Sequence, residues 1–167
     1  MTTLPIVTYP AKILRQRSRE IPEATPETRA LAPQMVKTMR EANGVGLAGP
    51  QVNIPQRIII VQDKDKAFGF INPKILSRSK EQEEEEEGCL SVPGLFVPLK
   101  RAKSVEVECQ RAEDGSTVLI HAEGLLARIF QHEIDHLNGI LIIDRIGFLR
   151  RFKIRSFLRD LAVKSGT

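Results

Sequence analysis

Only two cysteines, Cys89 and Cys109, occur among the 167 residues, too few for a disulfide framework. No apolar run approaches the roughly 18 residues that a membrane span needs. The opening Met1-Thr2-Thr3-Leu4-Pro5 lacks a basic stretch followed by an apolar core, so no secretory signal is expected. The cytoplasm is the expected location, or an organelle if a transit segment has been removed, and both thiols are then expected to stay reduced. There is no internal repeat. What remains is ordinary for a globular chain, with 41% hydrophobic and 28% charged residues. The length suits a single domain spanning residues 1–167.

The net charge of +4 conceals an asymmetry. Six glutamates crowd residues 81–87, the one low-complexity stretch, and the rest of the chain therefore carries +10. Between Leu149 and Lys164 six basic residues stand against Asp160 alone. Such a tail suits either a polyanionic neighbour or a solvated helix face.

Along the chain, Thr25-Pro26-Glu27 has the form of an N-cap, a proline at the first helical position and an acid in the first turn. Leu31, Met35 and Met39 give that helix an apolar face, Pro33 either kinks it or marks its start near Ala32, and Asn43-Gly44 ends it. Strands are expected over 57–62, 69–75, 104–111 and 116–122. The last two flank the turn Ala112-Glu113-Asp114-Gly115. Val105, Val107 and Cys109 alternate as inward-facing strand residues. A helix begins at Glu123 and closes at Asn138-Gly139. Ile140–Ile143 looks strand-like, and a basic amphipathic helix over about 148–164 carries Phe148, Phe152, Phe157 and Leu161. Strands in the middle with helices at both ends predict an α+β fold: antiparallel sheet packed around the central helix, with a C-terminal helix.

The chemistry centres on His132-Glu133-Ile134-Asp135-His136. On a helix the two histidines lie one turn apart and can ligate one divalent ion, with Glu133 placed to take a proton from water. No histidine or glutamate follows His136, and position 142, where a metzincin has its third histidine, is Ile142. Asp144 is the near downstream candidate, but Cys89 in Glu87-Gly88-Cys89-Leu90-Ser91 is the better third ligand. His121, near a strand end, is expected to be a surface or packing residue. Three ligands leave a position for water, which is a catalytic arrangement rather than a structural one. In Gly44-Val45-Gly46-Leu47-Ala48-Gly49-Pro50-Gln51 the glycines allow backbone to approach a ligand, and Gln51 can aim an amide at a developing oxyanion. Read alone, the segment is equally well a plain turn.

These three segments, in this order, resemble the peptide deformylase signatures GxGxAAxQ, EGCxS and HExDH, and Pro5–Leu14 is similar to the family's N-terminal start. One departure is Gly49, where the family usually has alanine; the smaller residue is expected to be tolerated and to loosen the loop. The resemblance implies metal-dependent hydrolysis of the formyl group of N-formylmethionyl nascent peptides, releasing formate. It implies Cys89, His132 and His136 as ligands of one ion, Fe²⁺ with Zn²⁺ or Ni²⁺ as alternatives, and Glu133 as general base. Gln51 and the Leu90 backbone N–H would hold the oxyanion. A methionine pocket is expected from Val45, Gly46, Leu125, Ile129 and the His132 ring, with Arg128 at its rim or reaching solvent. Glu87 and Ser91 are either supports of the site or turn residues, and Asp135 either bonds a base or faces solvent. The basic C-terminal helix suggests ribosome contact, without a membrane or direct DNA binding. The competing readings are a metallopeptidase or amidase for other blocked peptides, and a binding protein that has lost catalysis.

Overall fold

A computed structural model describes residues 2–165; of the expected span 1–167, Met1, Gly166 and Thr167 lie outside the described residues. Helix α1 runs over Pro26–Glu41, capped by Thr25, whose hydroxyl accepts from the Thr28 N–H. It passes through Pro33 instead of starting there. The proline removes one helical N–H, and the buried faces of Met35 and Met39 hold the helix to the sheet across that gap.

Five strands form an antiparallel sheet: β1 (Gly46–Ala48), β2 (Ile58–Asp63), β3 (Lys66–Arg78), β6 (Ser104–Arg111) and β7 (Thr117–Glu123), in the order β1-β2-β3-β6-β7. A two-stranded sheet pairs β4 (Gln82–Gly88) with β5 (Phe96–Ala102). Ile58, Ile59, Ile60 and Val61 in β2 are all buried, because both faces of the large sheet are covered. Ile58 and Ile60 pack with Met35 and Met39 of α1. Ile59 and Val61 pack instead with Phe70, Val105, Val107 and Cys109, and with the second helix, α2 (Gly124–Leu137). The expected alternation around Cys109 is present, and both cysteines are free.

One segment for which no element was expected takes one, and two expectations are corrected. The glutamate run is strand β4, paired residue for residue with β5, even though glutamate is a poor strand former. Its alternation supplies the reason: Glu83, Glu85 and Glu87 meet Lys103, Arg128 and Arg101 on one face. The Ile140–Ile143 run is not a strand. Its end forms the one-turn helix α3 (Ile142–Arg145), where an Asp144 carboxylate oxygen accepts from the Leu141 N–H at 2.8 Å. A short apolar run does not distinguish strand from buried helix by period alone. The C-terminal helix is broken at Ile154 into α4 (Phe148–Lys153) and α5 (Arg155–Lys164). Only Phe157, Leu158 and Leu161 of this region, with Ile154, join a third apolar cluster around Leu14, Val97 and Ile143; Phe148 and Phe152 face outward.

Candidate metal centre and active site

Gly124 opens α2 at φ +55, a left-handed start that suits glycine, and the helix then enters the core. From Ala127 to Leu137 every residue is buried. His132 and His136 meet edge-on one turn apart, with Nε2 atoms 3.2 Å from each other. Cys89 follows the end of β4, and its Sγ lies 3.2 Å from His136 Nε2. The three donor atoms fall within 4.8 Å of one another, the spacing of ligands that share one ion. Among the described residues this is the one cluster of its kind. His121 lies exposed on β7 beside Glu123, and Asp144 pairs with Arg15 and Arg151, so neither joins the trio.

The electrostatics fit a cation. Burial holds His136 well below its ordinary value, which leaves a neutral imidazole with a lone pair. At His132 burial acts in the same direction, but contacts with Cys89 and Glu87 outweigh it and raise the value well above the ordinary one. One sulfur and two imidazoles at this spacing would hold a divalent ion, which displaces any proton they share. The softness of this donor set suits zinc, nickel or ferrous iron and disfavours magnesium or calcium.

Gln51 sits in the 3-10 turn Gly49–Val52 after β1. Its Oε1 accepts from the Ala48 N–H at 2.8 Å, which leaves Nε2 pointing at Cys89 Sγ, 3.7 Å away. Glu133 is buried, and its Oε2 has no hydrogen-bond partner among the described residues. Burial pushes its pKa up to about 7. Gly46 lies directly against it: a Cβ there would stand 2.2 Å from Glu133 Oε1 and 2.9 Å from Ile129 Cγ2. Val45, Gly46, Leu90, Leu125, Ile129 and His132 all line one cavity of about 510 Å³, within the usual range for a small-ligand site. Ile129 is buried, whereas Val45 and Leu125 are exposed at the mouth.

Supporting charges complete the centre. Glu87 is buried and accepts from Arg101 Nε and Nη2, both at 2.9 Å, and from Arg128 Nη1 at 2.7 Å. His132 Nδ1 is 3.1 Å from Glu87 Oε2, so the acceptor-only carboxylate fixes the ring with its proton on Nδ1. Burial pushes the Glu87 pKa up, but the Arg101 and His132 contacts overcome it and hold the carboxyl far below the usual range. Asp135 bonds Arg101 and Arg145, which settles its open reading in favour of bonded bases. Ser91 is buried, and its carbonyl accepts from the Tyr9 N–H. Arg128 is buried as well, so it does not reach solvent. Arg101, Arg145 and the cavity-lining Phe96 were not foreseen from the sequence. Buried Glu87 and Asp135 needed cations, but nothing local in the chain says which ones. Gly49 is the opposite of loose: a Cβ there would lie 2.7 Å from the carbonyl oxygens of both Ile54 and Gln56.

Comparison with known proteins gives one answer. The sequence profile described as polypeptide deformylase matches residues 3–152. A peptide deformylase of Desulforudis audaxviator is 44% identical over 146 residues, covering 87% of this chain and 94% of that protein. The crystal structure of peptide deformylase from Thermus thermophilus superposes with a TM-score of 0.91 at 36% identity, covering 98% of this chain and 99% of that one. That of the Plasmodium falciparum peptide deformylase gives 0.90 at 37% identity, covering 96% of each chain.

Proposed function

Because the chain belongs to the peptide deformylase family, we propose that residues 1–167 act as one catalytic domain that hydrolyses the formyl group of N-formylmethionyl nascent peptides with the groups described above. The observation that carries the assignment of roles is the convergence of Cys89, His132 and His136 beside the buried carboxylate of Glu133. The three residues hold one divalent ion, Fe²⁺ by family resemblance, with Zn²⁺ or Ni²⁺ as substitutes. When bound, such an ion acidifies a water and polarises the formyl oxygen.

Glu133 takes the proton of the attacking water, a task suited to a carboxylate whose pKa burial has moved to about 7. As water oxygen bonds to the formyl carbon, negative charge grows on the former carbonyl oxygen. Gln51 Nε2 and the Leu90 N–H donate to it; Gln51 is already turned with its donor toward the site. Breaking the C–N bond requires a proton on the departing amine, and Glu133 returns the one it took. Formate and a free methionine amine result. The methionine side chain enters the cavity between Val45, Gly46, Leu125 and Ile129.

No helix among the described residues is long and apolar enough to cross a membrane. We place the enzyme in the cytoplasm, with its basic C-terminal segments facing the ribosome and no role in DNA binding. The test is release of formate from a formyl-Met-Ala peptide by anaerobically iron-loaded protein, against release of acetate from the acetyl analogue. Release from the formyl peptide alone is expected, and no formate would refute the function.

A further inference from the structure

Arg128 takes no part in the chemistry above, yet its head group is among the most heavily used in the molecule. Four of its five N–H donors have partners. Nη1 donates to Glu87 Oε1 at 2.7 Å and to the Leu99 carbonyl at 3.0 Å, Nη2 to the Glu83 carbonyl at 2.9 Å, and Nε lies 3.2 Å from Glu85 Oε2. The partners lie on β4 and β5, while Arg128 itself lies on α2, one turn before His132.

One carboxylate, Glu87, is therefore gripped twice from the same helix: by the Arg128 guanidinium and by the His132 ring. Glu87 stands two residues before Cys89 on the strand that delivers the sulfur. Between α2 and β4 the contacts run through side chains; β4 pairs by backbone only with β5. Arg128 is the donor that ties α2 to both strands at once, through side chain and main chain.

We propose that Arg128 is a positioning residue of the metal centre: it clamps β4 to α2, which sets the distance from the Cys89 sulfur to the two imidazoles and keeps Glu87 against His132 Nδ1. The inference rests on the reading of Cys89, His132 and His136 as metal ligands. It does not depend on the shape of the methionine cavity, which Arg128 also lines. Without the guanidinium, Glu87 retains Arg101 and His132, and β5 stays tied to α2 through Arg101–Asp135 and Gln131–Ala102. But β4 loses the one donor that holds its main chain at Glu83 together with its side chains at Glu85 and Glu87.

The experiment is zinc competition against a chromophoric chelator, on the full chain, for wild type, Arg128→Met and Arg128→Lys. Methionine keeps the apolar stem and removes the head group, so the readout is affinity for zinc and not turnover. Zinc affinity should fall about 10-fold, as expected when a group that orients a ligand is lost. Lysine offers a compact ammonium that does not span Glu87, Glu83 and Leu99 together, so it should lose affinity in the same direction by a smaller factor. Unchanged zinc affinity in a folded Arg128→Met overturns the proposal. If that variant fails to fold, unchanged affinity in Arg128→Lys overturns it equally. Failure of the wild type itself to hold one equivalent of zinc would instead sink the metal-site reading, which keeps the two failures distinct.

Discussion

Two regions of this molecule are rich in arginine and differ in everything else. At the centre, Glu87, Arg101, Arg128 and Asp135 are each less than a tenth exposed, and all are joined in one ion-paired network. At the C-terminus, Arg150, Arg151 and Lys153 share α4 with Phe148 and Phe152, whose side chains are 82% and 65% exposed. Inside, each charge is fixed by its partners, since an unpaired buried charge costs several kcal/mol, and the geometry that results can orient a ligand. Outside, Arg150 donates to the Pro98 carbonyl and Arg151 stands 3.7 Å from Asp144, both at the surface. Water screens such contacts, so the same residue type is left able to meet another molecule.

The contrast can be broken most forcefully at Glu133. Replacing it with glutamine keeps shape and burial but removes the proton acceptor, so formate release should fall by about 10²–10⁴-fold while zinc is still bound; undiminished turnover would remove Glu133 from the mechanism. Next, Arg101→Met removes the cation that Glu87 and Asp135 share, leaving them Arg128 and Arg145 as guanidinium partners, and should cost about 3 kcal/mol in urea unfolding. A loss within experimental error would mean that water reaches the network and that it is not the closed core described here.

Cys109 gives a smaller and pH-dependent effect. Burial pushes its thiol up to about 12, so it stays protonated in the folded chain, whereas the unfolded thiol ionises from about pH 8.5. Its contribution is complete below that point and declines as pH rises toward 12, by up to about 1.4 kcal/mol per pH unit. Cys109→Ala should therefore show a flatter alkaline decline than wild type, and parallel curves would contradict the assignment. The mildest change in stability belongs to the tail. Reversing charge at Arg150, Arg151 and Lys153 should alter stability by about 0.5 kcal/mol or less at each position, yet abolish co-sedimentation with ribosomes at low salt. Equal co-sedimentation would leave the tail a merely solvated surface.

What the sequence made legible follows the same division between local and distant. His132, Glu133 and His136 share one helix, so their mutual placement follows from 3.6 residues per turn. Ser104–Arg111 alternates clearly because one face is core and the other is not. The arginine partners of Glu87 and Asp135 lie 10 to 41 residues away along the chain and emerge only when β4, β5, α2 and α3 come together. The glutamate run was opaque for a related reason: its strand character comes from cations supplied by other elements, not from its own residues. At Gly49 the departure from the family's usual alanine suggested slack, whereas two carbonyl oxygens crowd the space that a methyl group would need.

The bond from the Ala48 N–H to Gln51 Oε1 has one further consequence. A primary amide is a two-faced group, and half a rotation about its last bond would show an incoming anion a repelling oxygen in place of an attracting N–H. Wiring the oxygen to the main chain works like a polarity key: only one face is ever presented. In the proposed reaction the substrate would meet a hole whose sign was set during folding, with none of its binding energy diverted to turning that amide round.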